Sequence, residues 1–190
     1  MAKLYFRYAA MNAGKSTQLL QIAHNYNSLG KQVLLMTAKI DGRFGVGRIT
    51  SRLGGSRSAE CFDAMTDLFR EVEQFQQKAG TFLGAVLIDE AQFLTAEQVR
   101  QLHRAVHQLD VPVLCFGLRS DFRGEPFEGS TMLLALAESI EEIKNVCECG
   151  RKATMNARFD EQGNREHSGP QVLIGDSSYK AVCASCFYTT

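Results

Sequence analysis

The sequence predicts an α/β protein in which a parallel sheet is flanked by helices and followed by a small cysteine-bearing unit. Three observations carry this reading. Short apolar runs of strand length alternate with amphipathic stretches of helix length, the pattern of a parallel sheet covered on both faces. A small-residue turn with the spacing of a phosphate-binding loop joins the first strand to the first helix. From Ile143 onward the texture changes to short strand-like pieces, turns and four cysteines, so the chain is expected to divide into residues 1–142 and 143–190.

Residues 3–8 (KLYFRY) are rich in β-formers and read as the first strand. An amphipathic helix is expected over 16–29, stopped by Gly30. The run 32–37 (QVLLMT) is a second strand, and 41–58, rich in glycine and arginine and poor in large apolar residues, reads as a mobile basic loop. Residues 64–79 are expected to be helical. The run 85–88 (AVLI) is a buried strand that ends in Asp89-Glu90. Thr95 with Gln98 three residues on forms a capping box for a helix that reaches Leu109. A further strand over 111–117 and a further helix over 129–139 complete the larger unit. The remaining residues, about 45 of them, are too few for a secure core without a staple.

Composition bounds the partners. Apolar residues make up 45% of the 190, enough for a real core and against disorder. Lys plus Arg equals Asp plus Glu at 21 each, so the basic surplus of a protein that grips a nucleic-acid backbone is missing. No stretch approaches the roughly 20 apolar residues that span a bilayer. The N-terminal apolar stretch is broken by Arg7 and runs straight into the phosphate-loop pattern, which argues against a cleaved signal peptide. A cytoplasmic protein with no membrane and no nucleic-acid partner is expected, and its six cysteines are then ligands or buried thiols.

The most informative segment is Ala9-Ala10-Met11-Asn12-Ala13-Gly14-Lys15-Ser16-Thr17, which fits G-x-x-x-x-G-K-[ST] except that Ala9 stands at the first glycine. Gly14 permits backbone N–H groups to converge on a phosphate, and the helix that follows adds its positive end. Lys15 can reach β- and γ-phosphates, and the Ser16 hydroxyl can ligate Mg²⁺. The plainer alternative is a helix start at which Ser16 is only a cap. Asp89 and Glu90, ending a buried strand expected beside the loop, suit a magnesium ligand and a general base toward an attacking hydroxyl, or else a solvated pair capping the next segment. Cys147-x-Cys149 and Cys183-x-x-Cys186 place two pairs of thiols on two turns. These can close a tetrahedron around a structural Zn²⁺, with disulfides as the alternative.

The segments YFRYAAMNAGKS, KIDGRFG, IDEAQFL, CFGLRSDFRGEPFEGS, CECGRKA and QVLIGDSSYKAVCASC together resemble the cellular-type (class II) thymidine kinases, in a bacterial form, over nearly the whole chain. The resemblance implies a P-loop, RecA-like parallel-sheet domain and a small zinc-binding domain whose long lasso loop covers a nucleoside. It implies transfer of the ATP γ-phosphate to the 5′-hydroxyl of thymidine, and of deoxyuridine, to give dTMP in nucleotide salvage. Residues 9–17 would hold the ATP phosphates together with Asp89, Glu90, Ala91 and Gln92, with Glu90 as catalytic base. Asp41 and Arg43 would approach the phosphates and the metal. Met11, Phe93, Leu118, Phe122 and Phe127 would surround the thymine ring, while Gln171, Val172, Leu173, Ile174, Gly175, Asp176 and Tyr179 would bind base and sugar from the lasso. A homotetramer inhibited by the end product dTTP also follows from the resemblance. Two other readings stay open on the residues alone: a DNA-stimulated ATPase with a zinc ribbon, and a scaffold with a degenerate nucleotide site.

Overall fold

The computed structural model describes residues 1–42, 45–79, 83–173 and 178–189. Strand β1 (Leu4–Tyr8) leads through the small-residue turn into α1 (Lys15–Ser28) and then β2 (Gln32–Ala38). Three short strands follow, β3 (Arg48–Thr50), β4 (Ser56–Ser58) and β5 (Glu60–Phe62). Next come α2 (Leu68–Ala79), β6 (Leu83–Asp89), a single 3-10 turn over Ala91–Phe93, and α3 (Ala96–Leu109). The larger unit ends with β7 (Val113–Gly117), α4 (Glu128–Leu136) and β8 (Ser139–Glu142). Strands β9 (Met155–Phe159), β10 (Arg165–Glu166) and β11 (Ser178–Val182) and helix α5 (Ala184–Thr189) build the smaller one.

Six strands form one sheet in the order β5-β2-β6-β7-β1-β8, and every pairing in it is parallel. A parallel sheet needs cover on both faces, so its central strands are apolar at every position. Strand β6 is buried along its whole length. Its Ala85 and Leu87 pack with Leu19 and Ala23 of α1, while Val86 and Ile88 pack with α2, α3 and α4 through Val72, Leu102, Val106 and Leu133. The same alternation sends Leu114 and Phe116 of β7 to the α1 face and Val113 and Cys115 to the other. The capping box of α3 forms as the sequence predicts: Gln98 N donates to Thr95 Oγ1 and Thr95 N to Gln98 Oε1. Among the described residues, no helix is long and apolar enough to cross a membrane.

Strand β7 lies between β6 and β1, and the end of β6 sits beside the turn after β1 as expected, with Ser16 Oγ donating to Asp89 Oδ2, because α1 packs over β6. Two expectations need correction. Within 41–58, β3 and β4 pair as an antiparallel hairpin, turned at Gly54 and Gly55, both with positive φ. Burial of Ile49 against the α1 face anchors it. The helix expected to reach residue 139 stops at Leu136, and Ser139–Glu142 is an edge strand whose exposed Ile140 and Glu141 gave no apolar alternation to read.

The smaller unit is a three-stranded antiparallel sheet, β10-β9-β11. Its core is a cluster of Cys147, Ala153, Ala157, Val182, Cys183 and Phe187. Ile143, at the junction, packs into the larger core beside Ala9 and Leu114.

Candidate active site

The turn after β1 is tightened by two left-handed residues, Asn12 (φ 63°) and Gly14 (φ 80°). A side chain at φ near 80° is strained, which is what glycine at 14 relieves. Gly14 is the N-cap of α1, and no side-chain capping bond is made there. The Ser16 hydroxyl is used elsewhere: it donates to Asp89 Oδ2 at 2.8 Å. Lys15, buried, donates from Nζ to Ala10 O at 3.0 Å, so its ammonium folds back over the loop. Thr17 Oγ1 lies 2.6 Å from Ser51 Oγ, which fastens the β3–β4 hairpin to the start of α1. Around these groups opens a cavity of about 410 Å³, whose walls include Asn12, Lys15, Ser16, Asp41, Arg52 and Asp89. Its floor is the N-terminus of α1, whose dipole and first-turn N–H groups favour an anion.

Asp89 is buried, and its own Oδ1 accepts from Glu90 N at 3.1 Å. Burial, and then the neighbouring Glu90 carboxylate, push its pKa up to about 7, against the pull of Ser16, the Glu90 N–H and Lys15. A buried carboxylate disfavoured as an anion, bonded to a serine hydroxyl and facing a cavity, is a fit for a hard divalent cation with oxygen ligands. Glu90 sits in the left-handed region (φ 53°, ψ 39°), an unusual backbone for a glutamate. The turn swings its side chain out of the sheet, where its Oε2 accepts from Gln92 Nε2. Gln92 is itself pinned, since its Oε1 accepts from Leu118 N at 3.0 Å. Gly117 makes room for this: a Cβ there would lie 2.8 Å from Gln92 Oε1.

A second cavity, about 400 Å³, lies on the other side of Glu90. Phe93, Leu118, Phe122 and Phe127 line one side of it, and Gln171, Val172, Leu173 and Tyr179 another. Phe93 and Phe127 meet edge to face with ring centres 6.0 Å apart. A slot of this kind suits a flat, partly apolar ring. The two cavities share Met11, Asn12, Asp41, Arg52, Glu90 and Leu118. They are therefore contiguous, and Glu90 stands at their junction.

The smaller unit closes this region with three side chains that the sequence reading did not single out. Asn156 Oδ1 accepts from Met11 N at 2.7 Å, and Asn145 Nδ2 donates to Met11 O at 2.8 Å, so both polar groups of Met11 in the phosphate loop are satisfied from beyond residue 143. Arg158 is fully buried. It donates to Pro170 O and Ser168 O at 2.9 and 3.0 Å, pairs with Glu166, and stacks 3.7 Å from the Phe122 ring centre. One guanidinium thus braces both the stem of the 168–173 segment and an aromatic wall of the second cavity. No local motif marks these residues: Asn145 and Asn156 act on Met11 more than 130 residues away, and Arg158 draws its acceptors from 8–12 residues on while stacking on Phe122.

The four thiols Cys147, Cys149, Cys183 and Cys186 converge, with all sulfurs within 4.8 Å of one another and Cys149 Sγ 3.6 Å from Cys183 Sγ. Four sulfurs at zinc-bond length on a tetrahedron lie about 3.8 Å apart, so the cluster fits a structural zinc ion. Its electrostatics agree. Backbone N–H bonds lower Cys147 and bring Cys183 down to about 6, while the three other thiols push Cys186 up to about 12. The last proton of such a tetrad leaves readily only when a cation takes its place. All six cysteines are free of disulfides. Cys115 is fully buried in β7, and that burial raises its thiol far above the usual range.

Residues 11–17, Asp41, Asp89 and Glu90 therefore gather around the first cavity. Ala9 and Ala10 are buried beneath the loop, Ala91 is packed in the core, and Gln92 faces the second cavity and not the first. Met11, Phe93, Leu118, Phe122, Phe127, Gln171, Val172, Leu173 and Tyr179 gather around the second. Arg43, Ile174, Gly175 and Asp176 lie outside the described residues.

A parallel α/β sheet with a Gly-Lys-Ser turn at a helix N-terminus, opening on a cavity that meets an aromatic slot at one glutamate, has the build of a small-molecule kinase. Comparison with known proteins gives the particular kind. The family model for thymidine kinase matches residues 2–187. The chain is 56% identical to a thymidine kinase of Chromobacterium violaceum over 189 residues, 99% of each chain. It is 51% identical to one of Yersinia pseudotuberculosis over 184 residues, 96% of this chain and 93% of that one. With a thymidine kinase of Legionella pneumophila the identity is 54% over 184 residues, 96% and 88% of the two. The chain belongs to the thymidine kinase family, and thymidine kinase function goes with that membership.

Proposed function

We propose that this chain transfers the γ-phosphate of ATP to the 5′-hydroxyl of thymidine, giving dTMP and ADP, with deoxyuridine as a second acceptor. The observation that carries this reading is the junction of the two cavities at Glu90. A triphosphate in the first and a nucleoside in the second would meet at that carboxylate. Thymine would lie among Phe93, Leu118, Phe122 and Phe127, with Met11 beneath it and the lasso residues 171–176 and Tyr179 closing over base and sugar.

The 5′-hydroxyl is a weak nucleophile at neutral pH, and Glu90 takes its proton as the 5′-oxygen attacks phosphorus. A bond forms between that oxygen and the γ-phosphorus, the bond to the bridging oxygen breaks, and ADP departs. Lys15 and Arg43 offset the charge of the transferring group. Ser16 and Asp89 would hold magnesium, whose chemistry is to neutralise the phosphate oxygens as charge shifts toward ADP. Zinc at the four cysteines is structural in this scheme, and it closes the stem of the lasso. A division into a nucleotide-binding unit (1–142) and a lasso unit (143–190), a homotetramer, inhibition by dTTP and a cytoplasmic location belong to the same reading.

The test is Glu90→Gln, assayed with labelled ATP and a panel of nucleosides. Loss of the base is expected to lower turnover by about 10²–10⁴-fold, with ATP binding close to that of the parent. Turnover equal to the parent would remove Glu90 from this role. A panel in which no nucleoside accepts phosphate would overturn the reaction itself.

A further inference from the structure

A second cluster of metal-ligating side chains lies outside both cavities. His103 and His107 are four residues apart on α3, which places them on one face of the helix. Their Nε2 atoms are 3.3 Å apart, and both face Glu138, the residue before β8. Glu138 Oε1 is 2.8 Å from His107 Nε2 and 3.4 Å from His103 Nε2. Ligand atoms bound at about 2.0–2.1 Å to one ion stand about 2.8–3.4 Å apart, the shorter value on an octahedral edge and the longer on a tetrahedral one. The three separations, 2.8, 3.3 and 3.4 Å, fall within that span.

The carboxylate is held for the task. Glu138 Oε2 accepts from Leu4 N at 2.6 Å, and Glu138 N donates to Leu4 O at 3.0 Å, so strand β1 fixes the residue by its main chain and side chain together. Hydrogen bonds to the second carboxylate oxygen orient a metal ligand. The three side chains are between 30% and 44% exposed, which leaves the outward positions of an ion open to water.

We propose that His103, His107 and Glu138 form a surface site for one divalent transition cation of the zinc, nickel, cobalt or copper class. Two imidazoles and one carboxylate select this class over Mg²⁺, which takes oxygen ligands. The site is separate from the four-cysteine cluster and from Ser16–Asp89. Because its ligands come from α3 and from the approach to β8, an ion bound there ties a helix to the edge of the large sheet, and binding to the folded chain raises its stability.

The experiment is calorimetric titration of Ni²⁺ into protein already loaded with one equivalent of zinc, with zinc content measured before and after. One saturating equivalent of Ni²⁺ is expected without zinc release, together with a rise in Tm. His103→Ala and His107→Ala should each weaken the affinity at least tenfold, and Glu138→Gln should weaken it less, with thymidine phosphorylation unchanged in all three. His107→Gln, which keeps a polar side chain on the same helix face, guards against a folding defect and should lose Ni²⁺ equally. Absence of saturable Ni²⁺ uptake by the parent would overturn the proposal, and so would equal uptake by the parent and the two histidine variants.

Discussion

The two main sheets of this chain are packed by different means. The large sheet is sandwiched between two apolar clusters that draw on its strands and on four helices, so its position in space follows from burial alone. The small sheet has a described core of six residues, two of them cysteines of the thiol tetrad. So small a core is weak support for a three-stranded sheet, and zinc at the four thiols, as proposed above, would supply the remainder. Yet the weaker unit does positional work for the stronger one. Asn145 and Asn156 fix the Met11 peptide of the phosphate loop, and Arg158 supports Phe122. If zinc holds the small sheet as proposed, removing it would also disturb the Met11 peptide and Phe122 through these contacts.

The largest way to break this comparison is to remove the staple. Structural zinc in small domains contributes an apparent 10–16 kcal/mol, roughly, far more than any single packing contact here. Cys183→Ser is expected to abolish hydrogen-exchange protection in Met155–Phe159 and Ser178–Val182 while leaving Leu83–Asp89 protected. Thymidine turnover should fall with it. Loss of protection in both sheets together would show one cooperative unit and defeat the contrast.

A second break comes from inside the large sheet, where function opposes stability. Asp89 has a folded pKa of about 7, above its ordinary 3.8. The native state therefore holds a proton that the unfolded chain releases near pH 4. The stability associated with that proton is complete below about pH 4 and lost as pH rises through 7. Asp89→Asn keeps an acceptor for Ser16 and cannot ionise. In magnesium-free, zinc-loaded protein, its stability should gain on the parent from pH 4 to 7 and level off above, by an amount on the order of a few kcal/mol at most, read as a rise in relative Tm. A difference in Tm that stays flat across that range would show that Asp89 pays no ionisation penalty in the fold.

A third test sharpens the link between the units. Arg158→Ala strips charged hydrogen bonds from Ser168, Pro170 and Glu166 and the stack from Phe122. Such bonds contribute about 1.5–3 kcal/mol, so KM for thymidine is expected to rise roughly 10–100-fold, with KM for ATP little changed. An equal rise in both would make Arg158 a general support and not a brace of the nucleoside side.

Much of this was legible in advance because the informative groups are close in sequence. The phosphate loop spans nine residues, the acidic pair ends one apolar strand, and the thiols come in two tight pairs. The capping box of α3 was readable for the same reason. What escaped reading acts across distance. Asn156 meets Met11 over 145 residues, and Arg158 gathers acceptors from a turn, a strand and a stem. Among the described residues the edge strand Ser139–Glu142 pairs only with β1, and it shows no apolar alternation, so it looked like the tail of a helix. The β3–β4 hairpin is fixed by Ile49 and Ser51 against α1, a tertiary anchor that glycine and arginine content does not reveal.

The smallest expected effect asks whether the large sheet is as self-sufficient as its packing implies. Thr95→Ala removes the side-chain acceptor for Gln98 N at the start of α3. The loss is worth about 1 kcal/mol, or about 2–4 °C in Tm for a chain of this size. Helix α3 packs on α2, α4 and the sheet, and the side-chain bonds of Thr95 stay within the capping box with Gln98. Hydrogen exchange in α3 should therefore quicken at its first turn while Met155–Phe159 keeps the protection of the parent, and kcat and both KM values should hold. If the small sheet loosened as well, the cap would be supporting a structure that runs through both units, and zinc could not be the only source of the small unit's order.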